Sequence, residues 1–68
     1  MNKAELDFKK LIKQYRENMF LTQEELGDIV GVSYVTVNRW ENGVSTPSLK
    51  QKKKLYKMFL DANILSED

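Results

Sequence analysis

Only three Gly and one Pro punctuate the 68 residues, and they fall where runs of three- and four-residue apolar spacing break. That punctuation restricts the chain to helices joined by short turns. From Ala4 onward, Phe8, Leu11, Ile12, Tyr15 and Met19 share one stripe while Lys9, Lys10, Lys13 and Glu17 face water, which predicts a first helix ending near Asn18. Thr22-Gln-Glu-Glu25 is a capping box, and the helix it opens is expected to bury Leu26, Ile29 and Val30. Gly31 suits the left-handed residue that stops this helix, and Ser33 can cap a third one two residues later.

The third segment, 33–42, carries Val35-Thr36-Val37, β-branched residues that favour a strand when judged alone. Its surroundings favour helix, because Val37 and Trp40 form an apolar pair continuing from Val32 and Asn42-Gly43 makes a helical stop. Thr46 or Ser48 then caps a last helix running to about Asn63, with Pro47 at its first position. The chain is therefore expected to be all-α.

A chain of this length supports one domain, 1–68, with its core at about 5–62. Hydrophobic residues at 41% and charged residues at 31% place it among folded globular chains rather than disordered ones. Zero Cys and zero His remove disulfides, thiol nucleophiles, imidazole bases and the metal sites built on them. Packing alone must hold such a fold, and at this size it rarely nets more than about 3 to 5 kcal/mol. The same absence weighs against an enzyme, and no cofactor, metal or small-molecule ligand is expected. No apolar run approaches the ~18 residues of a membrane span, and Glu5 and Asp7 deny the N-terminus a signal-peptide core. A cytoplasmic location without membrane contact follows as an expectation.

The formal net charge of +1 hides an asymmetry. Residues 1–30 hold five basic and six acidic groups, whereas 39–57 hold Arg39, Lys50, Lys52, Lys53, Lys54 and Lys57 against Glu41 alone. The Lys52-Lys53-Lys54 run either solvates a face or approaches an anionic partner.

The capped Thr22-Gln23 start, the Gly31 turn, Ser33 at the next helix and Arg39-Trp-Glu-Asn-Gly43 closing it stand at characteristic spacing. Together, over roughly residues 5–60, they resemble the phage repressor/Cro-like (Xre-type) helix-turn-helix family. The resemblance implies a four- to five-helix lambda-repressor-like domain whose motif spans 22–42. It also implies sequence-specific binding of double-stranded DNA by a transcriptional regulator, with the helix at about 33–42 in the major groove. With Val37 and Trp40 turned inward, Ser33, Tyr34, Val35, Asn38 and Arg39 lie outward, on the surface that carries the family's base-contacting positions. Arg39 suits guanine O6 and N7, Asn38 suits adenine, and Val35 suits a thymine methyl. Gln23 stands where family members grip a phosphate, a role open also to Thr36 and Asn42; alternatively, Thr22-Gln23 is nothing more than a helix start.

Arg16 and Glu41 occupy positions that form an ion pair in family members. Two departures stand out: Gly27 where the family prefers Ala, and Phe20 where it often has Gly or Asn. On the last helix, Leu49, Tyr56, Phe59 and Leu60 are expected to face the core. Leu55, Met58, Ala62 and Leu65 form an adjoining row: further core, a tail that folds back, or the seam of a homodimer that assembles on a two-fold operator. A protein-binding or antitoxin-like module of the same fold is the alternative, favoured by Tyr34 and Val35 outward with a single Arg.

Overall fold

Each helix begins at a side chain that accepts an otherwise orphaned amide. In the computed structural model, which describes residues 6–66, Asp7 caps α1 (Phe8–Asn18), Thr22 caps α2 (Gln23–Val30), Ser33 caps α3 (Tyr34–Glu41) and Ser48 caps α4 (Leu49–Asp61). The Thr22 and Ser48 caps are reciprocal boxes closed by Glu25 and Gln51. Four helices and no strand make up the described residues. The expected start at Ala4 lies outside them; within them α1 begins at Phe8. Ser48 rather than Thr46 is the last cap, so buried Pro47 precedes the helix instead of opening it.

All four helices also end alike. Leu21, Val32, Val44 and Ile64 each donate a backbone N–H to the carbonyl five residues back, and the residue just before each is left-handed: Phe20, Gly31, Gly43 and Asn63. Gly31 and Gly43 take this conformation without a Cβ penalty. Phe20 takes it at φ 57° with its ring 93% exposed, so no packing offsets the strain.

Ile12, Tyr15, Leu26, Val37, Trp40, Leu55 and Phe59 form one buried cluster contributed by every helix. Phe59 is its hub, with the rings of Phe8 and Tyr15 each centred 6.0 Å away at a tilt. Tertiary burial of Val37 and Trp40 overrides the strand preference of Val35-Thr36-Val37, and the segment is helical as expected.

Three expected faces are corrected. Met19, expected on the α1 stripe, falls at the C-cap and is 49% exposed. Ile29 is 43% exposed, because the inward side of short α2 is taken by Leu26, Gly27 and half-buried Val30. On α4 the inward row is Leu55 and Phe59, while Leu49 is 70% exposed and Tyr56 and Leu60 are half-buried. Met58, Ala62 and Leu65 pack against the same cluster, so the row considered as a dimer seam is an extension of the core. No helix among the described residues is long and apolar enough to cross a membrane.

Candidate nucleic-acid interface

Gly27 sets how closely the two helices of the motif approach. A Cβ built there would stand 2.5 Å from the Val32 carbonyl oxygen, and Val32 returns its own N–H to the Gly27 carbonyl. The turn is thus pressed against α2 at a point where a Cβ would force the Val32 carbonyl to shift. Two residues on, the Ser33 hydroxyl accepts the Thr36 amide and lies 3.3 Å from the Thr36 hydroxyl, which fixes the first turn of α3. The Ser33 hydroxyl considered for DNA contact is therefore also a helix cap, and the Thr36 hydroxyl is held beside it.

With Val37 and Trp40 buried, α3 turns Tyr34, Val35, Asn38 and Arg39 to solvent. Tyr34 is 58% exposed, and no acid among the described residues lies within ion-pair distance of Arg39. An unpaired guanidinium, an amide and two apolar groups on one helical face can engage a base edge by hydrogen bonds and a methyl by contact.

Behind this face lies a polar chain. Arg16 Nε donates to Glu41 Oε2 at 2.7 Å and its Nη2 to Oε1 at 3.1 Å, while Nη1 reaches the Leu21 carbonyl at 3.2 Å. The hydrogen bond to Glu41 raises the Arg16 pKa above its ordinary value, against the opposing effect of burial. Gln23 Nε2 donates to Glu41 Oε1 at 3.2 Å, Asn38 Nδ2 to Gln23 Oε1 at 3.4 Å, and Asn42 Nδ2 to Asn38 Oδ1 at 3.0 Å. The structure thus brings Gln23, Asn38 and Asn42 together, and leaves Tyr34, Val35 and Arg39 outside the chain. The Asn38–Asn42 bond is legible from i, i+4 spacing. The bonds of Gln23 join separate helices, and no local pattern announces them.

The lysines of α4 divide. Lys52 Nζ sits 5.6 Å from the Phe8 ring centre, a cation–π contact with α1, whereas Lys53 and Lys54 are exposed. Lys9 lies along Gly43 at the end of α3, its Cδ 3.5 Å from where a Cβ would stand. That cation beside the motif was not anticipated from sequence.

The family model described as helix-turn-helix matches residues 12–56. A curated relative, the HTH-type transcriptional activator BcrR of Enterococcus faecalis, is 32% identical over 54 residues, covering 79% of this chain and 26% of the relative. The chain thus spans about a quarter of that relative's length. No solved structure gives a significant match. The matched residues contain α2, the Gly31 turn and α3 with their caps, and by that match the chain belongs to the helix-turn-helix family.

Proposed function

We propose that this chain is a non-enzymatic, sequence-specific transcription regulator that reads the major groove of double-stranded DNA with α3 and occupies its operator as a homodimer. The observation that carries the reading is the outward row Tyr34, Val35, Asn38 and Arg39 on a helix whose other side is locked into the core by Val37 and Trp40. Rigid backing of this kind lets a few side chains discriminate base edges. Membership of the helix-turn-helix family and likeness to part of a transcriptional activator support it. Two copies are proposed because one motif covers a single half-site, which gives too little selectivity against a genome of competing sites.

Selection from a random duplex pool, followed by a salt series, tests this. Enrichment of a motif with two half-sites, and affinity falling steeply with salt, is the expected result. A second reading, a protein-binding or antitoxin-like module, draws on the exposed Tyr34 and Val35 beside a single Arg. Absence of any enriched duplex sequence would favour that reading and overturn the first.

A further inference from the structure

Arg16 can only donate hydrogen bonds and an ionised carboxylate can only accept them, so the Arg16–Glu41 pair imposes a direction on whatever joins it. Gln23 must present Nε2 to Glu41, which turns its Oε1 toward Asn38; Asn38 must then present Nδ2, which turns its Oδ1 toward Asn42. Each amide in the chain is thereby held in one of its two flip states, starting from a carboxylate only 6% exposed. Asn38 keeps one hydrogen and one lone pair for outside partners. Reversing its amide would exchange the positions of that donor and acceptor along the groove.

We propose that Gln23, anchored by Glu41, is a positioning residue that sets the order of donor and acceptor which Asn38 offers to a base pair. This rests on the DNA-reading function above and deepens it. The chemistry that fits Asn38 in one fixed orientation is an adjacent acceptor and donor on one base edge, as adenine N7 and N6 provide. An amide free to flip accommodates both orders and discriminates less.

The test compares Gln23→Met, which keeps the side chain's length but makes no such bonds, with Asn38→Ala and the double variant. Each is titrated with the duplex selected by the unaltered chain, carrying all four base pairs in turn at each position. Asn38→Ala should identify one sensitive position, and Gln23→Met should lower discrimination there by roughly fivefold or more. The double variant should discriminate no worse than Asn38→Ala, because both changes act through one amide. A uniform loss over all base pairs in Gln23→Met, additive effects, or no position sensitive to Asn38→Ala would each overturn the inference while leaving DNA reading intact. Failure of the unaltered chain to select any duplex would instead remove the function on which it rests. A measurement on the free protein adds a second arm: in side-chain amide NMR, Gln23→Met should mobilise the Asn38 Nδ2 resonances and leave the Arg16 Nε–H resonance in place. Asn38 resonances unchanged by Gln23→Met would also overturn it.

Discussion

Arg16 and Glu41 meet fork to fork across 25 residues of sequence, with the carboxylate 6% exposed and the guanidinium side chain 19% exposed. The pair joins the first helix to the end of the third, and the third Arg16 nitrogen holds the Leu21 carbonyl in the turn between α1 and α2. One charge pair therefore registers three elements.

Removing Arg16 leaves the Glu41 carboxylate buried with only the neutral Gln23 amide as donor. Arg16→Met is expected to cost about 2 to 3 kcal/mol, and Arg16→Met with Glu41→Leu to cost less than Arg16→Met alone. Urea melts of the three chains check this, and equal or greater loss in the double variant would show that packing rather than charge dominates. The sign of the pH effect follows from the raised Arg16 pKa. Its contribution is fully present below the unfolded guanidinium's pKa and is lost as pH rises through the folded one. The pair's dependence on Arg16 should accordingly be flat through neutral pH and fade only in strong alkali.

At Gly27 two effects oppose each other. Ala gains about 1 kcal/mol of helix propensity over Gly, but its Cβ would stand 2.5 Å from the Val32 carbonyl oxygen, a backbone atom that moves only if the turn moves. Steric cost should win. Gly27→Ala is expected to lower stability by about 1 to 3 kcal/mol, in the range of overpacking, and a thermal melt at or above that of the unaltered chain would show that the turn yields to a Cβ at little cost.

Helix starts were legible because a cap is a local event: Thr22, Ser33 and Ser48 sit beside the amides they satisfy. The inward face of α3 followed from Val37 and Trp40, an i, i+3 apolar pair that continues from Val32. On α4, two apolar rows share one helix, and the choice between Leu49 and Leu55 depends on the direction from which α1 and α2 approach, which no periodicity encodes. Ile29 is misplaced for a related reason, since α2 packs on both α3 and α4 and the direction of those contacts, not apolar spacing, leaves Ile29 at the surface. Among the candidate interface residues, identity and outward placement could be read along α3, whereas the partnership of Gln23 with Glu41 and Asn38 arises only when α2 is assembled on α3.

Phe20 holds a left-handed conformation that Gly or Asn adopts more readily, and its ring is almost fully exposed. Phe20→Asn should therefore stabilise the fold by about 0.5 to 1 kcal/mol, once the loss of strain is set against a small gain in unfolded-state freedom. A rise in melting temperature of a few degrees is expected. An unchanged or lower midpoint would mean that the ring makes a stabilising contact the exposed position does not reveal.

Arg39 is the sharpest probe of base reading, because it is exposed on the outward side of α3 and unpaired among the described residues. A guanidinium there can serve either of two roles with different signatures. Bidentate contact with guanine O6 and N7 is worth about 1 to 3 kcal/mol of discrimination at one base pair, whereas a phosphate contact weakens all sequences alike. Arg39→Ala is expected to relax preference at a single guanine position of the selected duplex and to preserve preference elsewhere. Arg39→Lys, which keeps the charge but lacks the planar fork, should recover overall affinity more than it recovers guanine preference. Titration of each variant against the four single-position duplexes at fixed salt decides the matter. Equal loss on selected and random duplex in Arg39→Ala, restored in full by Lys, would assign Arg39 to the phosphate backbone and leave base reading to Tyr34, Val35 and Asn38.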